Sequence, residues 1–382
     1  MPQIAPLRLT RAQTLIDGAL HDHPLTVAEG QITDIPAREL DLSGYLLLPG
    51  IIDLHGDGFE RHLAPRPSAP FDPAKALASA AAELAVNGIT TAWLAQSWSW
   101  EGAHRSGAAA QALMTAVAQA RARLLPDMRV QLRLETHVID EHPQVLEAVA
   151  CNGVDFVVFN NHLPEAQEMA NRRPDRLAQW AAQTRRTADD MMQIVRAAEV
   201  QSDRVPAALA AIAAQFAALG VSMGSHDDDS AATRAFFRSI GAPIAEFPTT
   251  SEAALAAHVA GEPVLMGAPN VVRGGSQTGN IAAEELIAEG LVDVLMSDYY
   301  YPALAQSAFA LVDRGRQSLP QAWEMISTAP ARIMGLADRG HLNNGARADI
   351  TVVNARTHQV ELTLCHGRIA HVAGELACRL WG

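Results

Sequence analysis

The pattern of apolar and polar positions changes twice along the chain. From residue 1 to about residue 50 it consists of short runs with β character: Ile4 to Thr10, Gln13 to Ile16, Leu25 to Glu29 and Gln31 to Ile35. Asp17-Gly18 and Glu29-Gly30 punctuate them as turns. Short runs bounded by such dipeptides predict strands. Leu46 to Leu54 follows as a nearly unbroken apolar run, the pattern of a strand covered on both faces. From about residue 73 the texture is different: alanine-rich stretches with helical spacing alternate with short apolar runs. The pattern predicts helices such as Pro73 to Val86, Gly107 to Leu125, Ala207 to Leu219 and Leu304 to Asp313. Between the helical stretches it predicts strands at Ile89 to Leu94, Val130 to Glu135, Phe156 to Phe159, Val221 to Met223, Ile244 to Phe247, Val264 to Met266 and Val292 to Met296. After Ala337 strand texture returns, at 345–353, Val360 to Leu364 and Arg368 to Val372.

Counted from Ile51, the middle of the chain holds about eight strand–helix units, which predicts an α/β fold with a (β/α)8 TIM-type barrel over 51–337. An open doubly wound sheet is the runner-up, but no Gly-rich phosphate fingerprint follows an early strand. The two β-rich ends, 1–50 and 338–382, are expected to pair into one small β-sandwich beside the barrel. The stretch at about 164–203 is too long for a single connection. It is polar and arginine-rich (Arg172, Arg173, Arg176, Arg185, Arg186, Arg196), and reads as a partly helical insertion over the C-terminal face of the barrel.

Composition narrows the class of partner. A net charge of -13 argues against a nucleic acid. Three scattered cysteines, Cys151, Cys365 and Cys378, make no disulfide framework. The N-terminus lacks the pattern of a signal peptide, and no run approaches the roughly 18 to 20 apolar residues of a membrane span. A cytoplasmic setting without a membrane partner is expected, and assembly into a homo-oligomer is left open. Of 29 basic residues only Lys75 is a lysine, so guanidinium groups dominate any recognition of anions.

The candidate chemistry sits at the ends of the predicted barrel strands. The first ends in His55-Gly56-Asp57, and in a strand residues i and i+2 point to the same side. Later strands end in Glu135-Thr136-His137, Asn160-Asn161-His162, His226-Asp227-Asp228 and Ser297-Asp298. Any one of these can be an ordinary helix cap or a solvated strand end. Imidazoles and carboxylates at five strand ends together predict a shared site for a borderline divalent ion such as zinc or manganese.

This arrangement of His-x-Asp, a carboxylate, two histidines and a final Asp resembles the amidohydrolase superfamily. The resemblance implies metal ligands at His55, Asp57, Glu135, His162, His226 and Asp298. It also implies two divalent ions, zinc with manganese or iron as alternatives. In many members a carboxylated lysine bridges the ions. Lys75 lies in a predicted helix, so Glu135 would take the bridge, and Asp298 would be the catalytic general base.

A narrower resemblance, to diphosphatases of phosphonate catabolism within that superfamily, is carried by longer blocks. These are His55 to Pro67 with its Pro65-Arg66-Pro67, Ser225 to Asp228, Ala245 to Thr250, Leu265 to Ser276 and Ser297 to Tyr300. It implies a small phosphorylated sugar as substrate and pyrophosphate as the leaving group. Arg61, His62, Arg66, Arg172, Arg173 and Arg273 are then the candidate phosphate-binding residues. The chain departs from that pattern at Gly56, Gly58 and Thr136 and over 171–192. The alternatives are a member that cleaves a C–N bond or another phosphate ester, and a non-enzymatic scaffold on a degenerate barrel.

Overall fold

The computed structural model describes residues 3–66, 69–184, 186–276 and 279–381. Pro67 of the Pro-Arg-Pro motif and Arg185 of the insertion lie outside the described residues. The central sheet is formed by β1 (Ile51–Gly56), β2 (Ile89–Trp98), β3 (Asp127–Glu135), β4 (Phe156–Asn160), β5 (Ser222–His226), β6 (Ile244–Glu246), β7 (Val264–Gly267) and β8 (Val294–Met296). These eight strands pair in sequence order, all parallel. A parallel bridge between Gly56 and Asp298 joins the last strand end to the first, so the sheet is a nearly closed barrel. At that seam the Asp57 amide donates to Asp298 O at 2.9 Å, and the Asp298 amide donates to His55 O at 3.0 Å.

The strands are buried on both faces, which is why they read as unbroken apolar runs. Inside the barrel Ile52, Leu54, Trp93, Phe156, Val158, Leu265 and Met296 form one cluster. Outside it Leu94, Leu132, Phe159, Met223 and Leu295 join the helix faces in a larger one.

The apolar run from Leu46 to Leu54 is not one strand. It divides at Gly50. Tyr45–Pro49 pairs antiparallel with Ile350–Asn354 in a six-stranded terminal sheet, and Ile51–Gly56 opens the barrel. A side chain at Gly50 would overlap the Thr90 side chain, so the change of sheet requires glycine there. A second, four-stranded sheet orders Gln31–Thr33, Leu25–Ala28, Leu7–Thr10 and Arg38–Asp41. Leu9, Val27, Leu47, Val352, Leu364 and Leu376 share the core of the two terminal sheets. Leu376 comes from a closing helix, Gly374–Trp381, which the apolar pattern did not predict.

The insertion consists of three helices, Leu163–Arg172, Pro174–Gln183 and Ala188–Glu199. Pro164 and Pro174 stand in first turns, where a missing amide costs nothing. A capping box between Thr187 and Asp190 opens the third. Their apolar faces close on one another and on Trp100, which follows β2. Among the described residues no helix is long and apolar enough to cross a membrane.

Candidate metal centre and anion pocket

A cavity of about 790 Å³ opens at the C-terminal ends of the barrel strands. The strand ends turn sharply there. Asp227, Phe247 and Asp298, which follow β5, β6 and β8, hold left-handed φ values of 61°, 51° and 54°. That conformation is sterically costly for a ring-bearing residue such as Phe247 and is held by its surroundings. The Phe247 ring packs edge-on against the imidazoles of His55 and His226, with centroids 5.1 and 5.0 Å away.

Among the described residues three groups of side chains have ligating atoms within 4.8 Å of one another. The first is His55, Asp57 and Asp298, at the closing seam. No described side chain hydrogen-bonds to or pairs with either carboxylate. Burial, and then repulsion from Asp57, push the Asp298 carboxyl up to about 6. Two facing carboxylates beside a buried imidazole, with no ion pair among the described residues and with Arg133 and Arg105 acting on them only from beyond contact, have the donor chemistry of a divalent-cation site.

The second group is His55, His226 and Glu246. His226 Nδ1 donates to Glu246 Oε2 at 2.8 Å, and His55 Nδ1 lies 3.1 Å from the same oxygen. The Gln131 amide donates to Glu246 Oε1 at 2.7 Å. Burial alone would raise the Glu246 carboxyl, but the two imidazoles outweigh it and hold the group well below the usual carboxylate range. A carboxylate on Nδ1 fixes the tautomer of His226 and leaves Nε2 with its lone pair. Arg133 Nη2 stands 3.2 Å from that Nε2.

The third group is Glu101, Glu135 and His162. His162 Nδ1 lies 2.6 Å from Glu135 Oε1 and 3.2 Å from Glu101 Oε1. Burial disfavours the imidazolium, but the two carboxylates outweigh it and push His162 up to about 9. The remaining acceptor positions are filled. Glu135 accepts from Trp100 Nε1 at 3.1 Å, from Asn160 Nδ2 at 3.1 Å and from the His162 amide at 3.3 Å. Glu101 accepts from Trp180 Nε1 at 2.7 Å and from Arg105 Nη1 at 3.0 Å.

The six residues expected as ligands are thus divided. His55, Asp57 and Asp298 stand together, His226 adjoins them through His55, and Glu135 and His162 belong to a separate group. Of the residues expected to bind phosphate, Arg273 lines the cavity and bonds Tyr299 Oη at 3.2 Å. Arg61 pairs with Glu83 and donates to Tyr299 O at 3.4 Å, while His62 Nε2 is 2.7 Å from Glu83. Arg172 pairs with Glu168 on an exposed face, and Arg66 and Arg173 are exposed outside the cavity lining. The guanidinium groups at the cavity are instead those of Arg105, Arg133, Arg176 and Arg273.

The glycines of the first strand end have a packing reason. A Cβ at Gly56 would lie 2.6 Å from both Asp53 Oδ2 and Tyr301 Cε1. Asp53 is fully buried and accepts from Ser297 Oγ at 2.5 Å and from the Ser297 amide at 3.0 Å, which ties β1 to the end of β8. At Gly58 a Cβ would meet the Tyr301 ring at 3.1 Å.

Glu246, Glu101, Arg105, Arg133 and Arg176 carry site positions that the strand-end pattern did not assign. Two had a legible signal. Arg133 stands two residues before Glu135 on one face of β3, and Glu246 is the last residue of β6.

The chain resembles known proteins over most of its length. A model described as the amidohydrolase family matches residues 56–371. The alpha-D-ribose 1-methylphosphonate 5-triphosphate diphosphatase of Escherichia coli (strain K12) is 34% identical over 340 residues, covering 85% of this chain and 87% of that protein. N-acetylglucosamine-6-phosphate deacetylase from Pasteurella multocida superposes with a TM-score of 0.62 at 12% identity, covering 95% of this chain and 99% of that one. A. niger ochratoxinase superposes with a TM-score of 0.65, also at 12% identity, over 98% and 97%. At such identities these structures bear on the fold alone. The barrel, its strand-end His-x-Asp and the family match over most of the chain lead to one conclusion: this chain belongs to the amidohydrolase family.

Proposed function

We propose that the protein is a metal-dependent hydrolase that releases pyrophosphate from a ribose 1-phosphonate 5-triphosphate. The observation that carries this reading is a juxtaposition in one cavity. The carboxylates of Asp57 and Asp298, which have no ion-pair partner among the described residues, line it with His55, and so do Arg105, Arg133, Arg176 and Arg273. Adjacent acids outside any ion pair suit a cation, and guanidinium forks suit phosphoryl oxygens. The similarity to the Escherichia coli diphosphatase supports the same substrate class.

His55, Asp57 and Asp298 fit a divalent ion, with His226 next to them. Bound there, such an ion would acidify a water and offset phosphoryl charge. The chain's own groups do the rest. Glu246 holds the tautomer of His226 and Phe247 packs both imidazoles, so the rings present fixed edges. Arg176 and Arg273 hold the polyphosphate with its reacting phosphorus near Asp298. The water oxygen forms a bond to that phosphorus as the bond to the pyrophosphate oxygen breaks. Asp298 accepts the water proton, and the sugar 5-phosphate remains.

The test is turnover of the ribose phosphonate triphosphate with pyrophosphate detection, beside a panel of N-acyl amino acids and cyclic amides. Pyrophosphate release is expected. Asp298→Asn should lower kcat by about 10² to 10⁴, the contribution of a positioned base. Arg273→Ala should act mainly on KM. Hydrolysis of amides with no pyrophosphate from the triphosphate would overturn the reading in favour of a C–N-cleaving member.

A further inference from the structure

Among the described residues three side-chain groups can each offer three metal ligands, and a two-ion centre would need neighbouring ligand sets joined by a shared acidic group. The hydrogen bonding leaves only one set open. Glu135, the acid that would have to bridge, accepts from Trp100 Nε1, Asn160 Nδ2 and the His162 amide, and lies 2.6 Å from His162 Nδ1. Glu101 beside it is held by Trp180 and Arg105. Glu246 is engaged on both oxygens, by Gln131 on one and by His226 on the other. Among the described residues, Asp57 and Asp298 are the acids of these groups whose carboxylates take part in no hydrogen bond or ion pair within contact distance, with Arg133 and Arg105 acting on them from farther off.

The position next to the open set is occupied by a protein cation. Arg133 is 7% exposed, lines the cavity from β3 and places Nη2 3.2 Å from His226 Nε2, the lone-pair nitrogen that a second ion would need. An ion on that nitrogen would touch a guanidinium that cannot lose its proton, and two cations in contact in a buried site repel strongly. The buried Arg133 Nε has no hydrogen-bond partner among the described residues, so the side chain retains donors for an oxyanion in the cavity.

We infer that the chain binds one divalent ion, on His55, Asp57 and Asp298, and that the Arg133 guanidinium takes the place of a second ion as the fixed positive charge facing the phosphoryl oxygens. This rests on the metal-dependent part of the proposed function and not on the identity of the sugar triphosphate.

The experiment is elemental analysis of the full chain, saturated with zinc or with manganese and freed of loose ion by gel filtration. Calorimetric titration with inorganic pyrophosphate follows on the same samples. About one ion per chain is expected for the wild type and for Arg133→Gln, and less than one for Asp57→Asn. Arg133→Gln should weaken pyrophosphate binding by about tenfold or more, the loss of a charged bidentate donor. Arg133→Lys, which keeps the charge without the fork, should lie between, and it carries the test if the glutamine variant does not fold. Two ions per wild-type chain, or pyrophosphate binding unchanged in both Arg133 variants, overturns the inference. Two ions with pyrophosphate release intact would sink the one-ion count and leave the proposed reaction standing. One ion without that release would do the reverse.

Discussion

At the scale of single residues, His162 is the sharpest divide between what strand-end chemistry suggests and what the neighbours impose. As a metal ligand it would be neutral, and its contribution would grow as pH rises. Between Glu101 and Glu135, without an ion, the two carboxylates raise it from 6.5 to about 9. A raised folded-state value means that the folded chain holds the proton more tightly than the unfolded chain. The resulting stability is fully present below about pH 6.5 and is lost as pH rises through about 9. The shift corresponds to something on the order of 3 kcal/mol. Urea midpoints of the wild type should therefore fall between pH 6.5 and 9.5, while those of His162→Gln should stay nearly flat. A wild-type midpoint that rises with pH over this range would favour His162 as a metal ligand.

The same residues show how far the site was legible. His55, Asp57, His226 and Asp298 announce themselves because a polar residue ending an apolar strand has few other reasons to be there. Glu135 and His162 look identical in sequence, and only the positions of Trp100, Asn160 and Glu101 show that they form a group apart from His55, Asp57 and Asp298. The arginines that line the cavity were harder to read. An arginine beside a motif finds the nearest acid first, as Arg61 finds Glu83 and Arg172 finds Glu168.

At the scale of elements, the alternation of apolar runs and alanine-rich stretches revealed the barrel, since parallel strands buried on both faces leave a strong imprint. The split at Gly50 left none, because an apolar run does not record a change of sheet. The insertion was legible as a long polar segment but not as three helices. One of its links to the site is a side-chain bond: Trp180, on Pro174–Gln183, donates to Glu101 Oε2 at 2.7 Å, while Arg186 donates to the Glu101 carbonyl. A hydrogen bond to a buried carboxylate contributes about 1.5 to 3 kcal/mol. Trp180→Phe keeps the ring packed near Trp100 and removes only that bond. Amide exchange over 174–199 should then quicken by about tenfold or more, with the barrel strands unaffected. Equal protection in the variant would mean that the apolar contacts and the Arg186 bond to the Glu101 carbonyl hold the insertion in place.

At the scale of the whole molecule, the terminal sheets and the barrel are tied at several points across their boundary. Trp323 Nε1 donates to Pro49 O at 2.9 Å, Thr351 Oγ1 to Gly88 O at 2.7 Å and Thr363 Oγ1 to Ala85 O at 2.7 Å, all buried. Buried donors that cross a boundary become unsatisfied if one side melts first, which favours a single transition. Leu376 tests this from the far side. It is fully buried in the terminal core, on a helix that reaches no barrel strand in sequence, and Leu376→Ala should cost about 2 to 5 kcal/mol. Trp93, Trp98, Trp100, Trp180 and Trp323 all lie in the barrel or the insertion, whereas Trp381 is 75% exposed on the closing helix. Tryptophan fluorescence therefore reports the barrel. If the molecule unfolds as one unit, the leucine substitution lowers the fluorescence midpoint and the circular-dichroism midpoint together. If the terminal sheets melt alone, the circular-dichroism trace divides into two steps and the fluorescence midpoint stays where the wild type has it. The barrel seam then stands without them, and the ion site with it.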